Sequence, residues 1–300
     1  MQALIGLLRT MRPHQWTKNI FVFAGIVFDG QLFVMDALLR VILTFILFCL
    51  ISSTVYIIND IADRESDRQH PKKSKRPIPS GKLPLQVAII AVIILPIVTI
   101  GIALSFSTAC ALILLAYFVI NLFYTFYLKH QVILDVMTVA SGFVLRVAAG
   151  TVVIEVARFS PWLYALMGLL ALFLAVGKRR QELVLMKDKA HQTRTALNQY
   201  NQPLLDNMLT IVVASIIISY LLYTIEEPSE LLHDTHYALL TVPFVFYAMF
   251  RYLYLIYVKE EGGAPDEVFL KDRPLQLTML LWAVSFIFIL YVLIPSFIQP

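Results

Sequence analysis

LPLQVAIIAVIILPIVTIGIALSF, residues 83–106, runs for 24 residues without a charged side chain. A helix crossing a lipid bilayer needs about 20 mostly apolar residues at 1.5 Å rise each. The stretch meets that length, and comparable runs lie on both sides of it. Working outward, nine spans are expected: 19–35, 37–58, 83–106, 107–128, 132–153, 161–177, 204–225, 237–258 and 275–298. The first and sixth are short, and the first carries Asp29 and Gly30 near its end. Lipid offers no partner to a free backbone group, so these spans are read as helices. A β-barrel would alternate in segments of about ten residues, which this chain does not do. The expected fold is therefore an all-α polytopic membrane bundle of about nine transmembrane helices, one integral-membrane domain over residues 1–300.

Composition agrees. Of 300 residues, 59% are hydrophobic and 15% charged, and the mean hydropathy is +0.76. A soluble chain of this length needs far more charge to cover its surface. Cys49 and Cys110 both sit inside apolar runs, which excludes a disulfide framework and a cysteine zinc site. Met1–Asn19 has no uninterrupted apolar core ending in small residues, so no cleavable signal peptide is expected. The net charge of +4 does not point to nucleic acid, because the bases form no soluble face.

Instead the bases orient the bundle. The leader, the loops after the second, sixth and eighth spans and the turn after the fourth hold 20 of the 24 Lys and Arg residues. The opposite loops hold only Arg40 and Arg158, while Arg146 and Arg251 fall within spans. By the positive-inside rule the N-terminus lies in the cytoplasm and the C-terminus outside. Arg251, near a cytoplasmic end, is expected to snorkel.

Polar residues gather on the basic side. The richest stretch is NDIADRESDRQHPKKSKRPIPSG, 59–81. Asn59, Asp63 and Asp67 fall at i, i+4 and i+8, so a continuing helix stacks them on one face at about 6 Å intervals, with Asp60 adjacent. Carboxylates stacked with an amide suit a hard divalent cation such as Mg²⁺, which keeps part of its shell for phosphates. Arg68, Lys72, Lys73, Lys75, Arg76 and Lys82 follow, in a loop stiffened by Pro71, Pro77 and Pro79. Acids that hold a metal, followed by bases, describe a diphosphate pocket. The plainer alternative is a solvated loop whose acids balance its bases.

Three further clusters stand out. In YTFYLKHQVILD, 124–135, Lys129 and His130 form a turn and Asp135 opens the next helix, whose face also carries Gly142 and Arg146. Arg146 would lie about 16 Å along that helix from Asp135. A charge so deep faces a cavity or a partner, and a water-filled cavity with Arg146 directed at an anion is the reading taken. A buried structural pair is the alternative for Arg146, and a turn cap for His130. GKRRQEL, 177–183, brings Lys178, Arg179 and Arg180 where the sixth span leaves the membrane, as phosphate ligands or as a topology anchor. RPHQWTKN, 12–19, puts Trp16 in the interfacial belt and Lys18 beside the first span. No Walker loop, dinucleotide-binding glycine pattern or nucleophile elbow is present.

The pattern Asn59-x-x-x-Asp63-x-x-x-Asp67 at the end of a second span, with the KSKRPIPSG loop after it, resembles the UbiA superfamily of intramembrane prenyltransferases, over essentially the whole chain. The resemblance implies a helical bundle around a cavity open to the cytoplasm, with Mg²⁺ joining a diphosphate to the acidic motif. The superfamily's second acidic motif, after the sixth span, is missing: that place reads GKRRQELVLMKD, with Glu182 and Asp188 at the wrong spacing. RPHQWTKNIFVFAG, LKH…D…SGFVLRVAAG and GKRRQEL resemble instead the phosphoribosyltransferase branch. Its members join 5-phosphoribosyl 1-diphosphate to a polyprenyl (decaprenyl) phosphate and release diphosphate, in building the cell wall. Carried over, Asn59, Asp63 and Asp67 would be the catalytic metal ligands. Lys18, Lys75, Arg76, Lys129, His130, Asp135, Arg146, Lys178 and Arg179 would bind substrate. The implied location is the cell membrane with its lipid, and a homo-oligomer stays open.

That chemistry suits the residues. Departing negative charge needs a metal and bases as an oxocarbenium-like centre develops. The acceptor phosphate, with a second pKa of about 6, is largely ionised at pH 7 and needs no general base. A prenyltransferase acting on an aromatic or other small acceptor is the rival enzyme, and it wants the missing acidic motif. A transporter is the rival of another class, but the charges cluster at one membrane face and no paired broken helices appear.

Overall fold

A computed structural model of the chain describes residues 2–70, 73–154, 160–186, 197–226, 236–259, 268 and 271–293. Every regular element among these is helical: α1 (Gln2–Thr10), a 3-10 segment (Pro13–Phe23), α2 (Ala24–Phe28), α3 (Met35–Ala62), α4 (Arg64–Gln69), α5 (Leu85–Phe106), α6 (Thr108–Phe126), α7 (Leu134–Val152), α8 (Pro161–Met186), α9 (Gln202–Glu226), α10 (Val242–Tyr257) and α11 (Arg273–Phe288). Among the described residues, eight segments are long and apolar enough to cross a membrane, and they match the second to ninth expected spans. This is an integral, multi-pass membrane protein.

The first expected span, 19–35, is the exception. It does not form one α-helix: Pro13–Phe23 winds as a 3-10 helix, α2 adds five residues, and the chain turns at Asp29 and Gly30, where Gly30 has φ 74°. The partners across α3 explain the winding. Arg12 meets Asp60, Trp16 meets Ser53, Asn19 meets Cys49 and Ser52, and Phe23 meets Phe45. Between the outermost pairs α3 advances 15 residues and the partner segment only 11. At 1.5 Å per α residue and 2.0 Å per 3-10 residue both cover about 22 Å. An α-helix here would fall about 5 Å short and lose the register of every polar pair.

Two compact units result, one of Met1–Lys129 with Leu145–Val156, the other of His130–Val144 with Ala157–Pro300. In the first, α3 is central: two-thirds of its apolar window is buried, against 28% for α5 and α6. Leu47, Phe48, Ile51 and Val55 of α3 pack with Val22, Ile26, Leu114, Tyr117, Ala149 and Val153. Isoleucines on the outer face of α5, such as Ile93 and Ile97, stay exposed, as a lipid-facing surface requires. A smaller cluster of Met11, Ile57, Ile78, Leu83 and Ala88 pins the basic loop to the end of α3. Burying Ile78 and Leu83 stabilises that loop by roughly 2 kcal/mol each.

In the second unit α8 packs along α9, and α10 against α11. Among its described residues, Phe173, Tyr220, Tyr223 and Tyr252 are the largest fully buried side chains. The Tyr220 hydroxyl is satisfied by Thr241 Oγ1 at 2.5 Å and by Trp282 Nε1, which donates at 2.7 Å. One boundary differs from expectation. α8 runs to Met186, so Lys178–Glu182 lie on a helix rather than in a loop. Lys187, Asp188, Lys189 and Arg194 lie outside the described residues.

Candidate metal and phosphate site

The acidic motif sits where α3 hands over to α4. Helical dihedrals stop at Asp63 (φ −89°, ψ 8°), yet Asp63 N donates to Asn59 O at 2.9 Å and Asp67 N to Asp63 O at 2.8 Å. The backbone row expected from the four-residue spacing is therefore present across the break. The side chains diverge from it. Asn59 Oδ1 accepts from Thr125 Oγ1 of α6 at 2.7 Å. Asp63 Oδ1 takes Lys129 Nζ at 3.0 Å. Asp67 takes Arg76 Nη1 at 2.6 Å and Lys73 Nζ at 3.7 Å.

Asp60, which the four-residue spacing places only adjacent to the row, completes the cluster. Its carboxylate, 2% exposed like that of Asp67, accepts from Arg12 Nη2 at 2.5 Å and from Arg76 Nη1 at 3.1 Å. The signal was present: Asp60 and Asp67 are seven residues apart, two helical turns, and so return to nearly the same face. Both converge on the single nitrogen Nη1 of Arg76. Asp60, Asp63 and Asp67 carry three negative charges, and Arg12, Lys73, Arg76 and Lys129 four positive ones. Removing one partner of so buried a pair typically costs 3–5 kcal/mol, because the survivor is left uncompensated. Lys75 stands exposed on the same loop, and Lys18 is half-buried on the 3-10 segment.

An all-oxygen donor set, with two buried carboxylates already drawn around one positive group, fits a hard divalent cation. Asp60 and Asp67 are the pair that fits it, while Asn59 and Asp63 turn to Thr125 and Lys129. Among the described residues no three acidic, His or Cys side chains are grouped around one cation position.

Arg146, 5% exposed, lies in the same unit but apart from these acids. Its Nε donates to Asn19 Oδ1 at 2.7 Å and its Nη2 to the Tyr117 hydroxyl at 2.9 Å. The guanidinium carbon lies 4.9 Å from the Tyr117 ring centroid and 5.8 Å from that of Phe48, within cation–π range. Asn19 in turn donates to Cys49 Sγ and Ser52 Oγ at 3.3 and 3.4 Å. An amide, a phenol and two rings are thus among the groups that surround Arg146.

The other expected residues fall in the second unit. Asp135, 1% exposed, accepts from Arg179 Nε at 2.6 Å and from the Tyr200 hydroxyl at 2.7 Å. Ile133 N, on a residue at φ 70°, donates to that hydroxyl at 2.7 Å. Burial, helped by the bond to Asp135, pushes the Tyr200 phenol up to about 12, so it stays a donor throughout the physiological range. Arg179 also donates from Nη1 to Glu182 Oε2 at 2.6 Å. Two of its nitrogens thus bridge carboxylates. Arg180 pairs with Asp206 at 2.5 Å and lies 5.0 Å from the Tyr257 ring centroid. Lys178 and His130 are exposed.

The sequence profile of the UbiA prenyltransferase family matches residues 19–270. The chain belongs to that family. Among its relatives in the family, decaprenyl-phosphate phosphoribosyltransferase of Mycolicibacterium smegmatis is 33% identical, covering 92% of this chain and 90% of the relative. The Corynebacterium glutamicum protein of the same name is also 33% identical, over 97% of this chain and 88% of its own. Among solved structures, a UbiA homolog from Archaeoglobus fulgidus bound to DMAPP and Mg²⁺ superposes with a TM-score of 0.71. It is 17% identical, over 95% of this chain and 99% of that one. That likeness carries the UbiA fold.

Proposed function

We propose that this protein is a transferase moving 5-phosphoribose from 5-phosphoribosyl 1-diphosphate to a polyprenyl phosphate of the decaprenyl type, with release of diphosphate and with Mg²⁺ as cofactor. The carrying observation is near-full-length similarity, at 33% identity, to two decaprenyl-phosphate phosphoribosyltransferases. The residues give it chemical sense. Two phosphate substrates call for bases, and four of them already crowd three carboxylates at the end of α3.

Asp60, Asp63, Asp67 and Asn59 would hold the cation. Bound there, Mg²⁺ supplies Lewis-acid neutralisation of the leaving diphosphate. Arg76, Lys73 and Lys129, already at the acids, and Lys75 on the loop are positioned to share diphosphate oxygens as negative charge grows on them. The acceptor phosphate arrives ionised, so no side chain has to take its proton. In this reading the cluster faces the cytoplasm of the cell membrane and the C-terminus lies outside. Support for that comes from 20 of the 24 Lys and Arg residues falling on one set of loops.

The test is a detergent-solubilised assay with labelled 5-phosphoribosyl 1-diphosphate and decaprenyl phosphate, run with Mg²⁺ or with EDTA. Mg²⁺-dependent label in the organic phase, with stoichiometric diphosphate, is expected. If the same preparation leaves that donor untouched and consumes a prenyl diphosphate with an aromatic acceptor, the reading is wrong.

A further inference from the structure

Arg76 holds the two most buried carboxylates of the motif with one nitrogen. Nη1 donates to Asp60 Oδ1 and to Asp67 Oδ2, and both of its hydrogens are thereby used. The other edge of the guanidinium makes no hydrogen bond to a described residue, and the side chain is 31% exposed while both acids are 2% exposed. The buried edge of Arg76 thus does for the carboxylates what a cation does, and the outer edge keeps its donors for a ligand. The loop bearing it is anchored at Ile78 and Leu83, one of them two residues on, so the side chain rather than the backbone has freedom to move.

We propose that Arg76 is a positioning residue that occupies the cation position of the resting protein and yields it only when a diphosphate is present to receive the guanidinium. This rests on the function proposed above and adds an order of events to it. A divalent cation arriving alone must displace a charged group hydrogen-bonded to both acids, and would leave that group uncompensated in a half-buried place. A diphosphate removes the penalty, because its oxygens accept the bidentate fork of Arg better than water does. Metal and donor therefore bind with positive coupling, and by linkage each raises the affinity for the other equally. Lys129 at Asp63 repeats the arrangement on the motif's more exposed acid.

The test uses Mn²⁺ alone as a spectroscopic probe, titrated at pH 8 into the full chain in detergent, with free Mn²⁺ read by electron paramagnetic resonance. The proteins are the unchanged chain, Arg76→Gln, Arg76→Lys and Asp67→Asn, each checked for fold by gel filtration and circular dichroism. Weak binding is expected for the unchanged chain, with affinity at least tenfold higher for Arg76→Gln and a gain of a few-fold for Arg76→Lys. Asp67→Asn should show no specific binding. If Asp67-dependent binding is present but Arg76→Gln leaves it unchanged or weaker, the handover is refuted while the metal assignment stands. If Asp67→Asn binds Mn²⁺ as the unchanged chain does, the metal assignment falls and the handover with it. The Lys variant keeps the charge in place should the Gln variant fail to fold.

Discussion

Gly150 is where α7 touches the 3-10 segment, and replacing it by Ala gives a quantitative check on that packing. A methyl carbon built on Gly150 would lie 1.9 Å from the carbonyl oxygen of Val22, 2.9 Å from its carbon and 3.3 Å from its Cα. All three are backbone atoms, so no side chain can swing aside. An ordinary C···O contact is about 3.3 Å, so the two segments must separate by about 1.4 Å. One turn before Gly150, Arg146 Nε donates to Asn19 Oδ1 at 2.7 Å. A shift of about 1.4 Å takes that pair beyond hydrogen-bonding distance. Overpacking costs about 1–3 kcal/mol and a lost bond to a charged group about 1.5–3. The sum, about 2.5–6 kcal/mol, corresponds to a fall of roughly 4–10 °C in melting temperature for a chain of this size. Gel filtration of detergent-solubilised protein after stepped heating measures it. Gly25→Ala is the comparison, since its added carbon first meets a side-chain methyl, Thr151 Cγ2, at 2.7 Å; it should lose less. A Gly150→Ala protein melting within about 2 °C of the unchanged chain would refute the reasoning.

Asp63→Asn and Asp67→Asn should each lower phosphoribosyl transfer by about a thousandfold or more, some 4 kcal/mol of transition-state stabilisation, with Asp63→Asn eluting and folding normally and Asp67→Asn, which takes a buried partner from Arg76, also losing thermal stability; unchanged turnover in both would remove the metal role. Arg179→Ala strands Asp135, 1% exposed, so a loss of about 3 kcal/mol in stability should outweigh any change in the donor's KM, measured by thermal inactivation beside steady-state kinetics. The bond from Arg251 holds the Asp272 carboxyl below its ordinary value. A depressed folded value means that its stabilisation is complete above the unfolded value of about 3.9 and fades as pH falls through the folded one. Asp272→Asn should therefore lower thermal stability at pH 7, and the difference from the unchanged chain should shrink on acidification below about 4.

The long apolar runs made eight of the nine spans legible, because a lipid-spanning helix is specified by its own composition and needs no knowledge of its neighbours. The first span resisted, since apolar content does not distinguish a 3-10 helix from an α-helix; the choice depends on the spacing of Asp60, Ser53 and Cys49 on another element. In the acidic motif the four-residue spacing predicted the backbone row but not the side-chain grouping. That grouping is decided by where Arg12, Arg76 and Lys129 arrive from, 48, 16 and 66 residues away from their acids. Arg179 shows the same limit. The run of three bases around it suggested a phosphate ligand or a topology anchor, and beside Glu182, three residues on, its buried partner Asp135 lies 44 residues away.

The 3-10 segment also sets how this part of the chain tolerates insertion and deletion. Three residues per turn place Trp16, Asn19 and Val22 in a single phase along the segment. One inserted residue between Trp16 and Asn19 would advance everything after it by about 2 Å and rotate it by about 120°. Asn19 would swing away from Ser52, and the carbonyl beside Gly150 would be replaced by a different one. Loss or gain of three residues would restore the rotation but displace the partners by about 6 Å, a full step past the side chains of α3. Length changes should therefore be tolerated only outside Pro13–Phe23, where no phase has to be kept.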